Sequence, residues 1–564
     1  MLENPSPNDW LMFSRTYDAQ RYSPLTQINR TNVARLKMAW TRGFGAGQTE
    51  TIPLVYNGVM YTVAPGSIVQ ALDATTGDLL WEYQRKMPAN AAAQGRTKSL
   101  AIYGDVVAYT APDSFVVGLD AKTGEPRWET KAETRGNTSG PLIAAGKVIS
   151  GGACAGNRSN CFISAHDAVT GKEAWRFYTT PAPGEPGDES WAGAPLERRI
   201  ASTWGAPGAY DAARKLLIWG VANPMLDQRA ARHGSADGVS RTAPADLYSN
   251  STIALNVETG KLAWYYQHLP GDDWDADFTN ERILARTRLA PDPKFAKWIN
   301  PKLLGKTSEP RDVTVTIGEG GGVFVNDRAT GEFLWATPFP FDGPNFILSD
   351  IDVNTGKTKI NWDNVFKTPG ETHTICYWNT KSYWPMAYSP ATNSIYTSYI
   401  DNCRELTTAG PNGRESWKVV QRPGGDPKAL TGMAKINLST GEITRFDVGR
   451  APGNGAVLAT AGGLVFHGDM SRRFKAFDAV TNKQVWETIL GGNVSVSTIT
   501  YAVNGKQYIA VMTGDNLKVP ELSAEVPELR VPKGGNAIVD FALPKIASGP
   551  KRSGALSPPP FGPE

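Results

Sequence analysis

The stretch ALDATTGDLLW, residues 71–81, decides the fold because seven other segments of the chain are similar to it. They are GLDAKTGEPRW at 118, AHDAVTGKEAW at 165, ALNVETGKLAW at 254, VNDRATGEFLW at 325, DIDVNTGKTKI at 350, KINLSTGEITR at 435 and AFDAVTNKQVW at 476. Each copy predicts a strand, a turn built on Asp or Asn and Gly, and a second strand. Trp81, Trp128 and Trp175 stand 47 residues apart, which suits one four-stranded unit each.

Eight short-strand units at this period predict an all-β fold, an eight-bladed β-propeller with a central channel wide enough for a flat cofactor. The tryptophans that close the copies are expected to dock one blade on another, namely Trp81, Trp128, Trp175, Trp264, Trp335 and Trp486. We predict one propeller domain over residues 1–530. Residues 531–564, rich in Pro, Gly and Ser near the end, are expected to form an extended or disordered tail.

Composition narrows the possible partners. The chain has 58 basic and 55 acidic residues, a balance that gives no indication of a nucleic-acid or anionic-membrane partner. No run of eighteen apolar residues occurs, so no membrane span is expected. The start, MLENPSPNDWLMF, lacks the basic and apolar regions of a signal peptide.

The four cysteines fall in two local pairs. Cys154 and Cys161 end a polar loop, whereas Cys376 and Cys403 flank a predicted strand–turn–strand segment. Two disulfides would fit an oxidising compartment such as the periplasm, with the leader absent from this sequence; four reduced core thiols in a cytosolic protein are the alternative. No CxxCH occurs, so no covalently attached c-type haem is expected.

The stretch WYYQHLPGDDWDADF, residues 264–278, crowds four carboxylates into the six positions 272–277, on both sides of Trp274. Like charges this close repel, so some of them should titrate abnormally unless a cation lies among them. The stretch therefore indicates either an ordinary solvated acidic loop or a cation site.

Several longer motifs resemble the pyrroloquinoline-quinone (PQQ) dependent alcohol dehydrogenases, the methanol dehydrogenase-like quinoproteins. They are RYSPLTQINRTNVARLKMAW, ETIPLVYNGVMY, TWGAPGAYDAARKLLIWGVANP and GKQYIAVMTG, and the resemblance covers about residues 8 to 520. The segment GACAGNRSNCFISAHDAVTGKEAW is most similar to the sorbose dehydrogenase-like branch.

The resemblance implies a role for individual residues. Asp275 matches the catalytic base, and Asn223, Asp275 and Asp277 match metal ligands. An additional aspartate at the position of Asp277 resembles the pattern of lanthanide-using members, although Ca²⁺ remains open. The positions matching cofactor contacts are Trp204, under the planar ring, together with Glu50, Thr138, Lys98, Gly152 and Ala153. Asp272 and Asp273 are expected to be ordinary loop residues.

The implied activity is oxidation of an alcohol or sugar hydroxyl to the carbonyl. A carboxylate takes the hydroxyl proton, hydride goes to a quinone carbon (C5) polarised by the metal, and an external acceptor such as a cytochrome c takes the electrons. A non-enzymatic propeller scaffold for outer-membrane protein assembly is the alternative. The long insertion at 226–248 is expected to overhang the mouth of the pocket.

Three departures from the family pattern concern the same site. No vicinal cysteine pair lies near AAAQGRTKSLA, so the roof of the pocket is undefined, and Lys98 or Arg96 is expected to meet a cofactor carboxylate. Cys154 stands where the family has a metal-binding glutamate. Glu319 stands where a basic residue usually faces the quinone, a role that Arg328 is a candidate to fill.

Overall fold

The structure is a computed structural model that describes residues 1–87, 97–132, 136, 138–154, 158–305, 309–410 and 413–545. Eight sheets of four or five strands follow one another along the chain. Sheet 1 consists of Leu54–Tyr56, Val59–Ala64, Ile68–Asp73 and Leu79–Gln84, and sheet 2 of Ala101–Tyr103, Val106–Thr110, Phe115–Asp120 and Pro126–Lys131. Sheet 3 consists of Leu142–Ala144, Lys147–Ser150, Phe162–Asp167 and Glu173–Tyr178, and sheet 4 of Ala209–Asp211, Leu216–Gly220, Ser251–Asn256 and Leu262–Gln267.

The second half of the chain has larger sheets and insertions. Sheet 5 consists of Ile283–Thr287, Arg311–Gly318, Gly321–Asp327, Phe333–Thr337 and Trp298–Ile299, and sheet 6 of Ala387–Ser389, Ser394–Ile400, Thr431–Asn437 and Ile443–Gly449. Sheet 7 consists of Tyr22–Ser23, Leu458–Thr460, Leu464–Gly468, Arg473–Asp478 and Gln484–Ile489, and sheet 8 of Ile499–Val503, Lys506–Thr513, Ala537–Ala542 and Lys37–Gly43. Two small sheets are Leu348–Ile351 with Thr358–Ile360, and Thr372–Ile375 with Asn402–Gly410 and Gly413–Gln421.

Helices are few and short. The α-helices are α1, Arg229–His233, and α2, Val519–Glu525. The 3-10 helices are Val33–Arg35, Arg158–Asn160, Asp188–Trp191, Leu196–Arg198, Pro301–Leu303 and Trp362–Asn364. None of the helices in the described ranges is long and apolar enough to cross a membrane. The predicted all-β fold is confirmed.

The eight repeat copies and the eight sheets do not match one to one. Seven copies form a hairpin within sheets 1 to 7, whereas the copy at 350 forms the small sheet of Leu348–Ile351 and Thr358–Ile360. Sheet 8 contains no copy. Instead, Lys37–Gly43 from the start of the chain pairs antiparallel with Ala537–Ala542 from its end. The two ends thus join the ring in one sheet, which needs no repeat turn.

This closing pair also corrects the predicted domain boundary. Ala537–Ala542 lies between two neighbouring strands of sheet 8, so the propeller extends beyond residue 530. The sequence gives no signal for this strand, because it lies beyond GKQYIAVMTG, where the family resemblance ends, and contains no repeat copy. Residues 546–564, the rest of the expected tail, lie outside the described residues.

Tryptophans join consecutive sheets. Indole N–H groups of Trp40, Trp81, Trp128 and Trp175 each donate to a backbone carbonyl of the next sheet's turn, at Ala74, Ala121, Ala168 and Val257 respectively. In sheets 7 and 8, the Trp486 ring lies edge-on to Phe541, with centroids 5.4 Å apart. Trp335 is fully buried, but its indole N–H has no partner of this kind.

The turn glycines allow these tryptophans to approach. A Cβ atom at Gly124, where φ is +78°, would lie 2.5 Å from the Trp81 ring. Gly77, Gly171, Gly260 and Gly331 stand in the same relation to the tryptophan of the preceding sheet. Each of these glycines is therefore needed both for its left-handed backbone and for its missing side chain.

Both expected disulfides are present, between Cys154 and Cys161 and between Cys376 and Cys403. No free cysteine remains in the described part of the chain. The first bridge has a direct consequence for the site. Because Cys154 is bonded to Cys161, its sulfur cannot act as a thiolate ligand of a metal ion.

Gly124→Ala tests the tryptophan contact against a matched control, Gly104→Ala. Both glycines lie in sheet 2 with positive φ, but a Cβ at Gly104 meets no atom within 4 Å. Gly104→Ala should cost only backbone strain, whereas Gly124→Ala adds overpacking, about 1–3 kcal/mol. We expect a clearly lower melting temperature for Gly124→Ala. Equal melting temperatures would contradict the role of the Trp81 contact.

Candidate active site

The site is built from residues that precede the first strands of successive sheets. Glu50, Lys98, Thr138, Trp204 and Asp277 each lie within six residues of the first strand of sheets 1 to 5. All of these residues line one cavity of about 310 Å³. They lie close together because the first strands of all the sheets of a propeller begin at the same face of the ring.

Six further residues complete the cavity wall: Ala153, Asp275, Glu319, Trp378, Leu517 and Lys518. Gly152 does not line the cavity but lies beside it, with its N–H donating to Thr203 Oγ1 at 2.8 Å. Asn223 is also outside the lining, although it is buried and contacts Asp277. Arg96 lies outside the described residues.

The acidic stretch divides into two pairs of carboxylates. Asp272 and Asp273 were expected to be ordinary loop residues, but both are buried. Asp272 accepts hydrogen bonds from the backbone N–H groups of Trp274 and Ala276 and from Asn250 Nδ2, and Asp273 accepts them from the N–H groups of Arg229 and Phe366. These two carboxylates fix the loop and do not face the cavity.

Asp275 and Asp277 point into the cavity from the loop thus fixed. Asp275 has a left-handed backbone with φ of +61°, a conformation that aspartate tolerates better than most residues. Asp277 is buried and accepts hydrogen bonds from Trp204 Nε1 at 2.6 Å and from Asn223 N–H at 2.7 Å. The Asp277 carboxylate thereby connects the Trp204 indole to the backbone of Asn223.

Negative charge accumulates on one side of the cavity. Burial, with Glu319 and Asp275 nearby, raises the pKa of Asp277 well above its usual value. Burial also raises the pKa of Glu319, with Lys518 and a hydrogen bond from Ser382 opposing the shift. A bound cation would stabilise carboxylates that are clustered in this way.

The side chains alone do not complete a metal site. Within the described ranges, no group of three or more His, Cys, Asp and Glu residues is arranged to hold a metal ion. A cation beside Asp275 and Asp277 must therefore take further ligands from an amide such as that of Asn223 or from a bound molecule. The donor set, carboxylate and amide oxygen, suits a hard cation.

The opposite side of the cavity is aromatic and basic. Lys98 Nζ lies 3.4 Å from Glu50 Oε2 and 5.1 Å from the centroid of the Trp204 ring. Thr138 Oγ1 donates to the Trp204 carbonyl at 2.9 Å, and the Tyr383 hydroxyl donates to Glu50 Oε1 at 2.8 Å. This network fixes a flat indole face and an ammonium group, which suit a planar anionic ligand.

The insertion at 226–248 contributes none of the residues that line the cavity. It packs behind the acidic loop. Arg229 donates to the Gly271 carbonyl and Arg232 to the Asp272 carbonyl, and Arg232 is also paired with buried Asp246 at 3.0 Å. Two fully buried guanidinium groups thus support the loop, and burying them is tolerable because carbonyls and a carboxylate surround them.

Arg328 does not replace the missing basic residue. It is paired with Asp211 at 2.9 Å and Asp312 at 3.3 Å, and it does not line the cavity. Glu319 does line the cavity, close to Lys518. The sequence gives little signal for Lys518, because it lies between two strands of the one sheet that lacks a repeat copy.

Trp378 is the other wall residue that sequence reasoning missed. It follows Cys376 by two positions, and its N–H donates to Asn402 Oδ1 next to Cys403. The second disulfide therefore anchors this tryptophan, and the spacing between the cysteine and the tryptophan was the available signal.

Comparison with known proteins defines the family of this chain. Residues 10–340 and 413–509 match the family described as PQQ: glucose/ethanol/alcohol dehydrogenase, beta-propeller domain. The chain belongs to this PQQ propeller family.

Individual relatives agree with this assignment. The chain is 31% identical to quinohemoprotein alcohol dehydrogenase ADH-IIG of Pseudomonas putida, over 90% of this chain and 72% of that protein. It is 29% identical to 1-butanol dehydrogenase (cytochrome c) of Thauera butanivorans, over 88% and 72%. The structure of a europium-containing methanol dehydrogenase has a TM-score of 0.80 at 26% identity and covers 96% of this chain and 99% of that one.

Proposed function

We propose that this protein oxidises an alcohol or sugar hydroxyl to the carbonyl with bound PQQ and passes the electrons to an external acceptor such as a cytochrome c. The observation that carries the proposal is the single cavity in which Asp275 and Asp277 face an indole and an ammonium group. Family membership and the activity for which the relatives are named support the cofactor and the alcohol substrate. The name of the Thauera protein supports the cytochrome.

The cofactor would be held by the aromatic and basic side of the cavity. Trp204 offers a flat face, and Lys98, Thr138 and Glu50 offer polar contacts at its rim, with Gly152 and Ala153 beside them. When bound, PQQ supplies a two-electron acceptor. The carboxylates of Asp275, Asp277 and Glu319 would repel this anionic molecule, so the cavity suits it only if a cation lies between them.

Asn223, Asp275 and Asp277 are the proposed protein ligands of that cation, with Ca²⁺ or a lanthanide ion as candidates. Asp277 distinguishes the two, because a trivalent ion offsets the repulsion of one more carboxylate better than a divalent ion does. The neighbour that contains europium supports this assignment.

Asp275 is the proposed general base. An alcohol must lose its hydroxyl proton as its carbon is oxidised, and the base must lie within hydrogen-bond reach of the bound hydroxyl. Asp275 lines the cavity and, unlike Asp277, is only partly buried. The two disulfides support a periplasmic location. A propeller scaffold offers no reason to bury Asp277 and Glu319 beside a cavity.

Asp275→Asn tests the base directly. The change keeps the shape and removes the proton acceptor, so we expect turnover to fall by about 10²–10⁴-fold while PQQ binding remains. Dye-linked turnover of an alcohol and quenching of tryptophan fluorescence by PQQ measure the two separately. Turnover at the wild-type level in this variant would remove Asp275 from its role.

Asp277→Ala tests the metal assignment. Removing one anionic ligand should weaken activity supported by La³⁺ more than activity supported by Ca²⁺, because the trivalent ion gains more from that carboxylate. The measurement is turnover of the PQQ-loaded variant across a concentration series of each metal. Equal losses with the two metals would contradict a lanthanide-specific role for Asp277.

A further inference from the structure

We propose that Lys518 is a further catalytic residue, whose ammonium group stabilises the negative charge that develops in the cavity during oxidation of the substrate. The inference rests on the function proposed above. Glu319 occupies the position in this cavity where a basic residue was expected. The proposal assigns the positive charge of the site to Lys518 instead, which lies in a segment outside the repeat pattern.

Two cationic side chains, Lys98 and Lys518, are found among the described residues that line the cavity. Lys98 is associated with Glu50, at 3.4 Å, and with the rings of Trp204 and Tyr383. Lys518 lies on the acidic side of the cavity instead, with Glu319 and Asp275 as neighbours. It is therefore the ammonium group that shares its surroundings with the proposed base.

The neighbours of Lys518 keep it charged. Burial alone would lower its pKa, but Glu319, Glu521 and Asp275 outweigh that effect and raise the pKa above the usual value. Its Nζ lies 3.2 Å from Glu521 Oε2 and 5.3 Å from the centroid of the Trp378 ring. Lys518 is partly buried, and a cation held at such a position is worth more to a developing anion than the same cation in water.

The position of Lys518 is fixed by the segment that carries it. This segment leaves sheet 8 after Lys506–Thr513 and returns at Ala537–Ala542. Leu517 N–H donates to Glu50 Oε1 at 3.2 Å, and Asp515 N–H donates to Asn536 Oδ1 at 3.0 Å. The apolar side chains of α2 that pack on the propeller are Val519 and Leu522, followed by Val526 at the end of the helix.

A simpler role would be neutralisation of Glu319, and the two roles are separable. Lys518→Met removes a cation that opposes the charge of Glu319, whereas Lys518→Met with Glu319→Gln removes both charges together. If Lys518 only neutralises Glu319, the double variant should recover folding, PQQ binding and turnover to the wild-type level. If Lys518 acts on the reaction, the double variant should recover folding and PQQ binding but not turnover.

The experiment measures kcat, KM and the dissociation constant of PQQ in the full chain, loaded with PQQ and the better of Ca²⁺ and La³⁺. For Lys518→Met and for the double variant we expect kcat to fall by about 10²–10³-fold. Lys518→Arg should keep kcat within about tenfold of wild type, because the charge is retained. Lys533→Met, an exposed lysine of the same segment, is the matched control and should equal wild type.

Wild-type kcat in the double variant would overturn the proposal. The double variant decides the question even if Lys518→Met alone does not fold, because it removes the buried Glu319 carboxylate together with the ammonium group, and the remaining partner, Glu521, is partly exposed. A wild-type protein that neither binds PQQ nor turns over an alcohol would instead contradict the proposed function itself, so the two failures are distinguishable.

Discussion

Burial of negative charge is the constraint on which the site depends. Asp277 and Glu319 are both buried beside Asp275, and each has its pKa raised by burial. A cluster of this kind costs free energy unless hydrogen bonds and cations surround it. The Trp204 indole, the Asn223 backbone, the Ser382 hydroxyl and the Lys518 ammonium each compensate part of that cost.

The propeller provides the rigidity that this arrangement needs. Tryptophans in one sheet contact the turn of the next, and the two chain ends pair within sheet 8. The entries to the first strands are consequently held at fixed positions around the cavity. Behind the acidic loop, Arg229 and Arg232 hold its backbone carbonyls, so the carboxylates that face the cavity have little freedom to move apart.

The repeat predicted the sheets well because each copy contains its own strand, turn and strand. It failed at the closing sheet and at the copy at 350, where long-range pairing decides the structure. Trp204, Asp275 and Asp277, which the resemblance assigns to one site, line one cavity. The resemblance could not reveal Lys518 or the support from Arg232, because their positions follow from tertiary packing of segments outside the repeat.

Direct binding of PQQ to the wild-type protein tests the central claim that this cavity is a metal-dependent quinone site. Quenching of tryptophan fluorescence during a PQQ titration, without metal and then with Ca²⁺ or La³⁺, gives the answer without any assay of turnover. The account predicts weak binding without metal and saturable binding at one site per chain with it. Binding of the same strength with and without metal would contradict it, because the carboxylates would then need no cation.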